Sequence, residues 1–223
     1  MVSAQPRSQP DPPPRRQAKR RPVIVGIAGG MGSGKSSVAK LLGELGAVVI
    51  DADDMAHSEL ETDEVRDTLV NWWGPSILGS DRKPDRKRIG AIVFADPTQR
   101  TRLEGLIHPR IAAKRDEMIE RLADDPTVKM IVMDAPLLYE VGLDQMCDSV
   151  IFVESDQAVR AERSEKTRHW EAEELARREN SQMPLDKKRS KADHICNNNS
   201  DLPALRQEVK GLYELILAKD GSF

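Results

Sequence analysis

Eight residues near the start of the chain, Gly29-Gly30-Met31-Gly32-Ser33-Gly34-Lys35-Ser36, constrain the fold more than any other stretch. They follow an apolar run, Val23 to Ala28, and open into the helical pattern Ser37-Val38-Ala39-Lys40-Leu41-Leu42. Strand, glycine-rich loop and helix in that order carry the G-x-x-x-x-G-K-[ST] spacing of a phosphate-binding loop. Glycine there lets consecutive backbone N–H groups turn inward into an anion nest that side chains would obstruct. The helix starting near Lys35 adds its unpaired N–H groups and the positive end of its dipole. The spacing predicts a nucleoside triphosphate cradled by Gly30, Met31, Gly32, Ser33, Gly34, Lys35 and Ser36. Lys35 is expected at the β- and γ-phosphates, and the Ser36 hydroxyl on Mg²⁺.

The fold class follows from what comes next. Gly46 is placed to end the helix, and Ala47-Val48-Val49-Ile50 reads as a short buried strand. Strand, helix and strand within about thirty residues form a βαβ unit, which implies a parallel sheet with a right-handed crossover. The second strand runs into Asp51-Ala52-Asp53-Asp54. Ligands of parallel sheets sit beyond the carboxyl ends of the strands, so these acids are expected in the same crevice as the loop. One of the three can cap the next helix. Three at one point exceed what a cap needs, which predicts at least one catalytic carboxylate.

Residues 55–125 read as helices with short breaks. Asp63 caps a segment that ends at Trp72-Trp73-Gly74-Pro75, and Pro84 begins another running to Phe94. Asp96-Pro97 starts a third, with aspartate as N-cap and proline at the first position. Ile107-His108-Pro109 is expected to break the run, and Pro109 to start a longer helix through Leu122. So much helix between two strands predicts an added subdomain that covers a substrate. His108 reads either as a structural turn residue or as a substrate contact.

The strand Val128 to Met133 ends in Asp134, an acid placed like the Walker B carboxylate that supports Mg²⁺, usually through water. Ser149 to Val153 is another strand, followed by a charged helix from Asp156 to about Arg168. Residues 160–191 are dense in cations. They read as a solvated helical face, or as a lid that brings arginines to the transferring phosphoryl group, with Arg163 and Arg168 as candidates. Asp193 to Cys196 is expected as a last strand. Leu202, Leu205, Val209, Leu212 and Ile216 recur on one face of a terminal helix.

Composition narrows the function classes. The net charge of −3 conceals an asymmetry, because residues 1–22 hold six cations against Asp11 alone. The remainder is therefore acidic, which argues against a nucleic-acid partner. The same 22 residues hold six of the fourteen prolines and few large apolar side chains, so a solvated, disordered tail without the apolar core of a secretory signal is expected. No apolar run is long enough for a membrane span. Cys147 and Cys196 are far apart, which offers neither a zinc site nor a disulfide framework and fits a reducing cytoplasm. The strings D-x-x-G and N-K-x-D, which a signalling GTPase needs, do not occur.

Several local words together resemble the dephospho-coenzyme A kinase family. They are the loop Gly29 to Ser36, Val49-Ile50-Asp51-Ala52-Asp53 with Ala56-His57, and Ile92-Val93-Phe94. Leu106-Ile107-His108-Pro109, Pro136-Leu137-Leu138-Tyr139-Glu140 and Gln182-Met183-Pro184-Leu185 with Lys188-Arg189 and Ala192-Asp193 follow in the family's order. The resemblance implies a P-loop NTPase three-layer fold: a kinase domain over residues 23–223, a substrate-binding helical insert at about 55–125 and a helical lid at about 160–191. It implies transfer of the γ-phosphoryl group of ATP, with Mg²⁺, to the ribose 3′-hydroxyl of dephospho-coenzyme A. Asp53 then looks like the catalytic acid that accepts the hydroxyl proton, and Gly32 to Ser37 like the ATP site. Asp53, His108, Pro136 and Leu137 look like substrate contacts. The expected partners are the small molecules ATP and dephospho-coenzyme A, with no nucleic acid and no membrane, and a cytoplasmic monomer or weak homo-oligomer is expected. Ser37 stands where the family commonly has threonine, and Ser164 to Trp170 departs from its usual basic stretch. A different small nucleoside or nucleotide kinase, or a non-catalytic nucleotide-binding module, remains open at this level.

Overall fold

A computed structural model describes residues 21–168, 172–180 and 182–219. The tail expected over residues 1–22 lies outside these residues, apart from Arg21 and Pro22. Five strands form one parallel sheet: β1 (Val23–Gly29), β2 (Val48–Asp51), β3 (Met130–Asp134), β4 (Ser149–Glu154) and β5 (His194–Asn197). Their spatial order is β2-β3-β1-β4-β5. The central strands β1 and β3 are buried along their whole length, as a sheet covered on both faces requires.

Alternation along the strands divides the core into two layers. Val23, Val25 and Ile27 of β1 face helices α1 (Lys35–Glu44) and α9 (Leu202–Lys219), meeting Val38 and Leu42 of one and Val209 and Ile216 of the other. Ile24 and Ala28 point the opposite way, into a second layer with Met133 and Phe152. Met55 of α2 (Ala52–Leu60), Met118 of α5 (Pro97–Ala123) and Leu185 of α8 (Leu185–Lys191) close that layer. Helix, sheet, helix is the three-layer arrangement.

Between β2 and β3 the chain makes α2, α3 (Asp63–Trp73), α4 (Arg86–Ala95) and α5. They bury a cluster of their own built on Val65, Leu69, Ile77, Ile89 and Ile107. After β4 come α6 (Gln157–Arg168) and α7 (Ala172–Glu179). No helix among the described residues is long and apolar enough to cross a membrane.

Some expectations need correction. Ile107-His108-Pro109 does not break a helix, because α5 runs unbroken with Pro109 inside it. Pro109 and Gly105, whose carbonyl loses its partner, are both exposed, so water can hydrate that carbonyl. Burial of Ile107 and packing of Ile111 on either side of the proline hold the axis together. Thr62, not Asp63, is the N-cap residue of α3. The fourth helix begins at Arg86 rather than Pro84, since the Asp85 carboxylate accepts from the N–H groups of Lys87 and Arg88. Leu202 of the terminal helix is exposed rather than packed on the sheet.

Candidate active site

The glycine-rich loop joins β1 to α1 at the carboxyl edge of the sheet. Gly32 and Gly34 have φ of 72° and 92°, left-handed values that favour glycine. No side chain caps α1, whose N-cap is Gly34 itself. The helix N-terminus therefore presents backbone donors and a positive dipole end toward the loop. The Lys35 ammonium donates to the carbonyls of Gly29 and Gly30, at 3.1 and 2.9 Å, and so lies folded along the rim of the loop. Ser36 and Ser37 are exposed at its mouth, and Ser33 is fully buried beneath it.

Two later segments fix the loop's shape. Asn198, buried just after β5, donates from Nδ2 to the Ser33 carbonyl at 2.7 Å. A Cβ on Gly34 would run into that amide, so glycine permits the contact. Arg163 of α6 reaches the same carbonyl at 3.5 Å, Ser155 Oγ at 3.4 Å and Asn198 Oδ1 at 3.4 Å. Arg163 therefore stands beside the loop as expected, whereas the side chain of Arg168 lies outside the described residues.

The acids gather at the ends of β2 and β3. Asp51 is the N-cap of α2, its Oδ1 accepting from the N–H groups of Asp53 (2.8 Å) and Asp54 (3.1 Å). That use leaves Asp53 exposed on the first turn of α2. Asp134 ends β3 opposite Asp51 and is buried. Burial, then the Asp51 charge, pushes its carboxyl above the ordinary carboxylate value. Lys35 and a hydrogen bond to Ser36 pull the other way, and Asp53 adds to the rise. A buried carboxylate next to a hydroxyl and two more acids is a hard-oxygen set that favours a cation. Among the described residues no group of three or more His, Cys, Asp or Glu is placed to hold a metal ion by itself. A partial set of this kind suits Mg²⁺, which takes one or two protein oxygens and completes its shell with phosphate and water.

Beside the acids lies a groove of about 500 Å³ between α2, α5 and the turn after β3. Asp53, His108, Pro136 and Leu137 all line it, so the four residues expected at a substrate come together on one surface. Leu60, Leu103, Ile107, Ile111 and Leu143 supply apolar walls, with Arg115 among them. The turn carrying Pro136 and Leu137 is anchored at Glu140, which accepts from the Met183 N–H and pairs with the buried Lys188, both at 2.8 Å.

The family profile for dephospho-CoA kinase matches residues 23–204. The chain belongs to the dephospho-CoA kinase family. Similar curated relatives include the dephospho-CoA kinase of Leptospira interrogans, 35% identical over 201 residues, 90% of this chain and 96% of that one. The Fusobacterium nucleatum dephospho-CoA kinase is 35% identical over 197 residues, 87% and 98% of the two chains. Among solved structures, a dephospho-CoA kinase from Campylobacter jejuni superposes with a TM-score of 0.66 at 26% identity, covering 90% of this chain and 98% of that one. A Thermus thermophilus crystal structure gives 0.74 at 28% identity with the same coverage.

Three residues now at the loop were not singled out from sequence as parts of the site: Asn198, Arg160 and Glu179. Asn198 sits in Asn197-Asn198-Asn199, which reads as a turn, and Arg160 is one cation among many in its segment. Glu179 carries no sequence signal at all.

Proposed function

We infer that this dephospho-CoA kinase family member transfers the γ-phosphoryl group of ATP to the ribose 3′-hydroxyl of dephospho-coenzyme A, releasing ADP. The observation that carries this reading is the adjacency of the two sites, because Asp53 lines the acceptor groove and also lies within electrostatic reach of Asp134 beside the loop. A carboxylate at that junction can take the hydroxyl proton as the new oxygen–phosphorus bond forms and the bond to ADP breaks. Lys35 and the amides of Gly30 to Ser37 hold the triphosphate, and Arg163 stands by to offset charge on the transferring group. Ser36 and Asp134 would hold Mg²⁺, which neutralises phosphate charge when bound. The apolar groove walls accept the extended non-nucleotide arm of the substrate, with His108, Pro136 and Leu137 along its edge. Helices α6 and α7 act as a lid over the nucleotide, excluding water from the transfer.

The test is ADP release from Mg·ATP with dephospho-coenzyme A, with adenosine and AMP as rival acceptors. Turnover with dephospho-coenzyme A alone is expected. Preference for a rival acceptor would keep the kinase fold and overturn the acceptor assignment.

A further inference from the structure

Helix α7 ends at Glu179, and this residue reaches the phosphate-binding loop. Its Oε1 accepts from the Met31 backbone N–H at 3.2 Å and pairs with Arg160 Nη1. Arg160 is itself buried, with Nε donating to the Ser155 carbonyl at 3.2 Å. Gly30 makes the approach feasible: a Cβ there would lie 2.5 Å from Arg160 Nη1 and 3.0 Å from Glu179 Oε1. An ion pair that only joined α6 to α7 would have no need of a loop amide. A main-chain N–H of an anion nest together with a guanidinium is, by contrast, the donor set that recognises a phosphate oxygen.

Resting on the kinase reading above, we propose that Glu179 is an internal competitor for ATP and that Arg160 is a further phosphate ligand. In the nucleotide-free enzyme the Glu179 carboxylate takes donors at the loop rim. A phosphate oxygen replaces it when ATP binds, and Arg160 passes from carboxylate to phosphate. Arg160 then has an anionic partner in both states and is never left buried and unpaired, which would be costly. The triphosphate wins because it carries several charges to the carboxylate's one and engages Lys35 and the helix dipole as well.

The test is calorimetric binding of a non-hydrolysable ATP analogue to the full chain. Glu179→Gln is expected to tighten binding by about fivefold or more, in the range of ordinary coupling between sites. Arg160→Met should weaken binding, and the double variant should bind more tightly than Arg160→Met by less than Glu179→Gln gains alone, since the competitor then holds only the Met31 amide. Melting with and without saturating analogue separates a damaged fold from a lost competitor. The Glu179→Gln protein should gain more from the analogue than the wild type gains. Unchanged or weaker binding by Glu179→Gln, or a smaller gain, overturns the proposal. A wild-type chain that does not bind the analogue sinks the kinase reading, and the proposal with it.

Discussion

Asp51 and Asp134 are register partners on the neighbouring parallel strands β2 and β3, so two carboxyl groups meet at the same edge of the sheet. Their environments then separate their tasks. Asp51 is committed to two backbone amides of α2, while Asp134 is buried among acids beside Ser36 and Lys35. Asp53, two residues beyond Asp51, is left exposed in the groove. One strand end thus supplies a helix cap and projects a free carboxylate, and its neighbour supplies a carboxylate suited to a cation.

Asp134→Asn should trade activity for stability. With the native carboxyl raised above its ordinary value, the charged form is disfavoured in the fold, and stability falls as pH rises out of the carboxylate range. At neutral pH the amide avoids that penalty, so the nucleotide-free variant should melt higher than the wild type. Turnover should drop by about 10² or more, because a neutral amide would hold Mg²⁺ less well beside the phosphates. Melting scans and steady-state rates at neutral pH check both halves, and retained turnover would remove Asp134 from the site.

Asp51 and Asp53 should separate cleanly. Asp51→Asn keeps an N-cap and should leave melting nearly unchanged, whereas Asp51→Ala should cost about 1 kcal/mol. Asp53→Asn should cut kcat by about 10²-fold or more, by general-base magnitudes, with ATP affinity kept. An unchanged kcat would show that Asp53 does not take the proton.

The two thiols should be inert in the folded protein. Burial, then the charges of Asp144, Asp148 and Asp193, pushes Cys147 up to about 12. Burial, then Glu208, does the same for Cys196. Little thiolate exists at neutral pH, and thiolate is the reactive form. A chromogenic disulfide reagent should therefore react with both only after denaturation. Fast labelling of the native chain would contradict this.

The loop and the βαβ unit around it were legible in the sequence because local spacing dictates them. The acids after β2 were expected in the crevice from their place at a strand end, and His108 was open as a substrate contact. That Asp53 and His108 meet Pro136 and Leu137 was legible only through the resemblance, since they come from α2, α5 and the turn after β3. The contacts of Glu179 and Asn198 with the loop span 148 and 165 residues of chain, and no local pattern encodes such distances. Pro109 misled for the opposite reason. Its local signal is strong, but burial of its neighbours on α5 outweighs it.

His194 should give the enzyme an acid-sensitive component of stability. Burial, then Lys219, lowers its pKa, with Asp193 opposing. A histidine lowered in the native state binds fewer protons there than when unfolded, so stability is lost as pH falls through the unfolded value of about 6.5. Between about pH 8 and about pH 5.5, His194→Gln should lose less melting temperature than the wild type. An equal loss would assign the acid sensitivity to other groups.

Pro109→Ala should stabilise the chain. A proline inside a helix costs about 3 kcal/mol relative to alanine, through a missing N–H and a ring clash with the carbonyl four residues back. Pro109 and Gly105 are exposed, so alanine meets no packed neighbour and restores a donor to the Gly105 carbonyl. A gain of about 1 kcal/mol or more is expected, about 2–4 °C in Tm for each kcal/mol at this chain length. Ile107, His108 and Ile111 flank the substitution and line the groove. A change in helix path should therefore raise KM for dephospho-coenzyme A and leave KM for ATP unchanged. A lower Tm would show that α5 is built around its proline, and a shift in the ATP constant would show that the groove and the loop are not independent.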